Sequence, residues 1–138
     1  MSFVLDSSMA LSWCFRDEQS EESLEVLNLA KTGAVLVPSL WHIEMANVLG
    51  ISFRKGRLSE ADLAVALNVF ANLELHTDPL VPAISTSILL PLMQTYSLTA
   101  YDAVYLELAQ RLNLPLATLD AGLVTASRQA GVVLLGQH

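Results

Sequence analysis

Four short runs constrain this chain more than anything else in it: "SFVL" at residues 2–5, "AVLVP" at 34–38, "LPLATL" at 114–119 and "VVLL" at 132–135. Each is a continuous apolar stretch, not an apolar/polar alternation. That pattern reads as a strand covered on both faces. Helical stretches separate them. Ser7 or Ser8 can cap a helix through "MALSWCF". The segment 17–33 reads as a helix with acids at its start and Gly33 as its stop. A long helix is expected over 39–56, and another over 58–73 with Ser59 as N-cap. "ELHTD" at 74–78 reads as a short strand. The segment 79–97 reads as mostly helical despite Pro82 and Pro91, and 98–113 and 121–131 are expected helices. Strands alternating with helices predict an α/β fold with a mostly parallel sheet.

At 138 residues the chain suits a single domain, 1–138. Apolar residues make up 53% and charged residues 15%, so the core is large or some apolar surface meets a partner. Neither of the most apolar stretches suits a membrane span, since one holds a Pro, a His and a Glu and the other is short and carries three prolines. No signal peptide is read at the N-terminus, and a cytoplasmic location is expected. The single Cys14 excludes an internal disulfide and a Cys-based zinc cluster. With a net charge of −7, bulk attraction for nucleic acid is absent. Three of the seven cationic residues fall together at Arg54, Lys55 and Arg57, which reads equally as a cationic helix C-terminus.

In parallel sheets, ligands sit outside the carboxyl ends of the strands. Asp6 follows "FVL" and Asp120 follows "LATL" at that edge. Glu44, in "LWHIEMANVL", and Asp102, in "TAYDAVYL", are also acids among apolar neighbours. Each has an ordinary explanation. Asp6 and Asp120 can be helix N-caps, Glu44 a first-turn dipole partner, and Asp102 the acid of a capping box opened by Thr99. Together they suggest converging carboxylates, whose mutual repulsion a hard divalent cation removes. Mg²⁺ and Mn²⁺ prefer such oxygen donors. A metal-activated water acting on a phosphodiester is then the natural chemistry. Trp13, Phe15, Trp41, Tyr101 and Tyr105 read as core or dimer contacts, and His42 and His76 as structural. A receiver domain needs an acidic pair after the first strand and a late Lys; a haloacid phosphatase needs Asp-x-Asp. Ser7 and Ser8 follow Asp6 instead, and no Gly-Lys-Ser/Thr loop is present.

The blocks "FVLDSSMALSWCF", "VPSLWHIEMANVL" and "LTAYDAVYLELAQRLNLPLATLDAGLVTASRQAGV" resemble the PIN-domain ribonucleases, in particular the VapC-like toxins of toxin–antitoxin pairs. The resemblance spans nearly the whole chain, while 57–93 matches only as generic helical sequence. It implies a three-layer α/β/α sandwich around a parallel sheet of about five strands. It implies a Mg²⁺- or Mn²⁺-dependent endoribonuclease that leaves a 5′-phosphate and is held off by a cognate antitoxin. Carried over by position, the acids are Asp6, Glu44, Asp102 and Asp120. Asp6 and Asp102 look like the principal metal ligands, with Glu44 and Asp120 completing the pocket. Ser7, Asn47 and Thr118 would orient the acids. Some relatives carry a further acid where Ala121, Gly122 and Leu123 stand here. A homodimer pooling Arg16, Arg54, Lys55 and Arg57 around one groove would supply the RNA contacts. The alternative is a PIN-like module that has lost catalysis and serves in assembly.

Overall fold

The computed structural model describes residues 1–79 and 84–137, the side chains of 84 and 85 excepted. Part of the expected helix over 79–97 therefore lies outside the described residues. Five parallel strands form one sheet: β1 (Ser2–Leu5), β2 (Ala34–Pro38), β3 (Glu74–Asp78), β4 (Leu116–Ala117) and β5 (Leu134–Leu135). Their order is β3-β2-β1-β4-β5. Seven α-helices among the described residues flank it, giving the three-layer sandwich. They are α1 (Ser7–Ser12), α2 (Glu21–Thr32), α3 (Ser39–Arg54), α4 (Glu60–Ala71), α5 (Leu89–Tyr96), α6 (Ala100–Leu112) and α7 (Ala121–Gln129). None is long and apolar enough to cross a membrane.

The apolar runs explain this arrangement. Phe3, Val4 and Leu5 of the central strand have no exposed surface, so β1 is covered on both faces. Its register pairs Val4 with Leu36 on one side and with Leu116 on the other. Helix α6 has seven consecutive buried residues, Ala103 to Ala109. A helix facing water on one side cannot bury a full two turns; α6 manages it by packing on β1, β2 and β4 and against α5 and α7.

The topology then fixes where a ligand would lie. The chain leaves β1 outward through β2 and β3, returns to lay β4 on the other flank of β1, and continues to β5. The order reverses between β1 and β4, and at such a switch point the connections from the two carboxyl ends part and leave room for a ligand. Asp6 ends one strand there and Thr118–Asp120 the other. The Asp6 N–H donates to Ala117 O at 2.9 Å, locking the two strand ends side by side.

Local details differ from the sequence reading. Helix α2 starts at Glu21, not at residue 17, because Ser20 and Ser23 form a reciprocal capping box. Asp17 and Glu18 fall instead in a short 3-10 turn (Arg16–Glu18). Ser59 caps α4 as expected, accepting from the Asp62 N–H, while the Asp62 carboxylate returns a bond from the Ser59 N–H. Helix α5 keeps Pro91 within its first turn, where no intrahelical N–H is required. Tyr101 is no core residue: at 62% exposed it stands in solvent.

Candidate active site

Asp6 occupies the N-cap position of α1, yet its side chain makes no capping bond. Its Oδ2 accepts instead from Ser8 Oγ at 2.5 Å and from Thr118 Oγ1 at 2.6 Å. Both hydroxyls are themselves oriented by the β4–α7 connection. The Leu119 N–H donates to Ser8 Oγ at 2.9 Å and the Asp120 N–H to Thr118 Oγ1 at 3.1 Å. With both hydroxyl oxygens occupied as acceptors, their protons point at Asp6. The carboxylate is only 4% exposed. Burial pushes its pKa up, the two hydroxyls oppose this, and the charges of Glu44 and Asp120 push it further.

Asp102 lies in the first turn of α6, and its N–H donates to Thr99 Oγ1 at 3.3 Å. Half the capping box is therefore present, but the carboxylate does not return the bond as Asp62 does. Its pKa is also raised, by burial first and then by Asp120 and Asp6, against a lowering by the Thr99 hydroxyl.

Glu44 sits in the second turn of α3, whose first turn holds no acid. The dipole explanation fails there, because that effect fades beyond the first turn. Its Oε1 accepts from Tyr105 OH at 2.5 Å and from Ser7 Oγ at 3.3 Å. Burial and the charges of Asp6 and Glu44 hold the Tyr105 phenol well above the usual tyrosine range, so it stays a donor. Asp120 does cap α7, its Oδ2 accepting from the Leu123 N–H at 2.9 Å.

Capping and chemistry are thus separable by atom. Asp6, Glu44 and Asp120 each have one oxygen engaged within the fold, and the second oxygen of each takes no hydrogen bond among the described residues. Asp6 feels Glu44 and Asp120, and Asp102 feels Asp120 and Asp6. Two of the four carboxyls carry repulsion that no cation relieves among the described residues. The donor set is all oxygen, which suits a hard divalent cation and not zinc. Among the described residues no three His, Cys, Asp or Glu side chains stand close enough to form a ready cage.

The remaining candidates fall elsewhere. Asn47 is exposed and makes no hydrogen bond to Glu44; Ser7 and Tyr105 take that part. Arg54 and Lys55 end α3, about 15 Å along the helix from Glu44 at ~1.5 Å per residue. Arg57 pairs with Asp17 at 3.1 Å and Glu18 at 2.8 Å and covers the Phe15 ring, while Arg16 belongs to the same 3-10 turn. The His42 Nε2 meets Thr77 Oγ1 at 2.8 Å, between α3 and β3. Three participants escape a reading by sequence. Ser8, not Ser7, holds Asp6. Tyr105 reads as core, although its place three residues after Asp102 on one helix face is a usable signal. Buried Glu107 finds Arg111 at 2.7 Å one turn on, and Arg111 reaches Asp78 at 2.6 Å.

The chain is thus a parallel α/β sandwich in which Asp6, Asp102 and Asp120 lie near enough at the switch point to feel one another's charge. A family model for the PIN domain matches residues 3–128, and the chain belongs to that family. PIN domains are generally nucleases and usually use divalent metals. Among solved structures, PAE2754 from Pyrobaculum aerophilum superposes with a TM-score of 0.63 at 21% identity, over 97% of this chain and 83% of that one. VapBC2 from Rickettsia felis, bound to a DNA fragment from their promoter, gives 0.68 at 15% identity over 97% of both chains. At these identities the likeness is one of fold. No curated protein sequence matches the chain significantly.

Proposed function

We propose that the chain is a Mg²⁺- or Mn²⁺-dependent endoribonuclease acting as the toxin of a toxin–antitoxin pair. The observation that carries this is Asp6. It is a buried carboxylate with two hydroxyls aimed at one oxygen, the other left unengaged, and two further acids raising its pKa. A buried carboxylate with a raised pKa and an unengaged oxygen at a strand end is the kind of group found at functional sites.

Asp6 and Asp102 would hold the cation, with Glu44 and Asp120 reaching it directly or through its waters. When bound, the ion supplies an acidified water and neutralises charge on a phosphate. The chain's own part is orientation. Ser8 and Thr118 fix Asp6, the α7 cap fixes Asp120, and the α6 first turn sets Asp102. Hydrolysis leaving a 5′-phosphate follows from the family likeness.

The antitoxin reading has a surface to match. A groove between α3 and α4 is lined by Trp41, Met45, Leu49, Leu67, Phe70 and Leu75. The Trp41 indole N–H is buried there without a partner among the described residues. Leu67, on its rim, is 62% exposed. An inhibitory helix or tail, or a second copy in a homodimer, would cover this groove. The neighbour from Rickettsia felis is itself a two-component complex, in keeping with this reading.

The experiment is cleavage of purified RNA by the chain with Mn²⁺ and with EDTA, with the product ends mapped. Internal cuts bearing 5′-phosphates, abolished by EDTA, are expected. Undiminished cutting in EDTA contradicts the metal; no cutting with Mn²⁺ favours the assembly-module alternative.

A further inference from the structure

Glu44 differs from the other three acids in how it is held. It sits on the second turn of α3, away from any N-terminal dipole, and no Lys or Arg bonds to it among the described residues. Two hydroxyls alone hold its carboxylate, both on Oε1, and they come from two other elements: Ser7 from α1 at 3.3 Å and Tyr105 from α6 at 2.5 Å. The phenol bond is the shorter, and the Ser7 contact is longer than a usual O–H···O bond. Tyr105 is fully buried, so its ring is fixed by the core and its hydroxyl cannot wander.

Helix α6 also carries Asp102, three residues earlier on the same side. One rigid element therefore presents a carboxylate of its own and steadies another on α3. We propose that Tyr105 is a positioning residue for the metal site. By engaging Oε1 it keeps Glu44 turned toward Asp6 and leaves Oε2 as the oxygen free for a divalent cation or its water. The proposal rests on the metal-dependent reading above. It goes beyond that reading in assigning a role to a residue whose burial alone would mark it as packing.

The test uses the full chain and Mn²⁺ as probe, with affinity measured by titration calorimetry and by the EPR signal of free Mn²⁺. Tyr105→Phe retains the ring and removes only the hydroxyl. It is expected to weaken Mn²⁺ binding by about tenfold, the low end for losing a group that orients a metal ligand. Ser7→Ala, which loses the longer bond, should cost less. The discriminating step is a cycle: in a Glu44→Gln background, Tyr105→Phe should change affinity by less than about twofold, because coupling is lost when the partner is gone. A crystal structure of Tyr105→Phe should show the Glu44 carboxylate turned away from Asp6.

Wild-type affinity in Tyr105→Phe overturns the proposal alone. So does a tenfold loss that persists undiminished with Glu44→Gln, since Tyr105 then acts through packing. A parent chain that binds Mn²⁺ no better than Asp6→Asn overturns the metal reading and this proposal together.

Discussion

Asp6→Asn should make the metal-free protein more stable, even though it alters a buried, doubly hydrogen-bonded residue. In the parent, burying the charge costs several kcal/mol, and repulsion from Glu44 and Asp120 adds on the order of 1 kcal/mol each. The bonds from Ser8 and Thr118, at 2.5 and 2.6 Å, return about 1.5–3 kcal/mol apiece to a charged acceptor. An asparagine keeps an oxygen in place for both hydroxyls, each bond weakens by about 1 kcal/mol, and the amide N–H₂ that replaces the second oxygen is buried without an acceptor at a further cost of about 1–3 kcal/mol. The net expectation is a gain of about 1–2 kcal/mol, or roughly 3–10 °C in Tm for a chain of this size. The pH dependence carries the sign. Because the folded pKa is raised above the ordinary 3.8, the native state binds more protons than the unfolded chain once pH passes that value. Asp6 therefore costs stability progressively as pH rises from 3.8, and the cost is complete once pH exceeds its folded pKa. The variant, lacking the group, escapes it. Thermal unfolding by circular dichroism in EDTA should show the variant ahead at neutral pH and level with the parent near pH 4. Saturating Mn²⁺ should reverse the order, since the parent gains about 2.7 kcal/mol at a hundredfold excess over Kd. A variant that melts below the parent in EDTA at neutral pH refutes the reasoning.

Further outcomes are expected. Thr118→Val removes a donor to Asp6 and an acceptor for the Asp120 N–H; cleavage should fall about 10- to 100-fold and Tm should drop, by fluorescence melting. Ser59→Ala should lower stability by about 1 kcal/mol through loss of the α4 cap, measured by urea unfolding, without touching cleavage. Phe3→Ala, which empties the centre of the sheet, should cost about 3–5 kcal/mol in the same assay. Arg57→Ala should leave RNA affinity unchanged in a filter-binding assay, because Asp17 and Glu18 already answer its charge.

Much of the architecture is legible from the residues because burial on both faces leaves an unambiguous mark. "FVL" has to be an interior strand, and strand direction alone carries Asp6 and Asp120 to one edge. Glu44 and Asp102 stand out as acids among apolar neighbours, and the family blocks join them to that pair. What escapes is the choice among neighbours. Ser7 and Ser8 are adjacent on α1, roughly 100° apart around its axis, and only the fold decides that Ser8 faces Asp6 and Ser7 faces Glu44. Asn47 has the spacing to orient Glu44, but it is exposed, and a buried phenol from another helix does so instead. The start of α2 is hidden because acids favour any first turn, and only the Ser20–Ser23 reciprocity shows which turn is first. Tyr101 and Tyr105 are the same residue type on one helix, one in solvent and one in the core. Their difference is set by the sheet beneath α6, which no local pattern reports.

The most direct measurement is the cleavage rate of one RNA by the parent, Asp6→Asn and Asp102→Asn, each with Mn²⁺ and with EDTA. A shared carboxylate site predicts that the parent cuts only with metal and that both variants, still folded, are slower by at least about 100-fold. Variants that cut as fast as the parent would show that these acids serve the fold and not the cleavage.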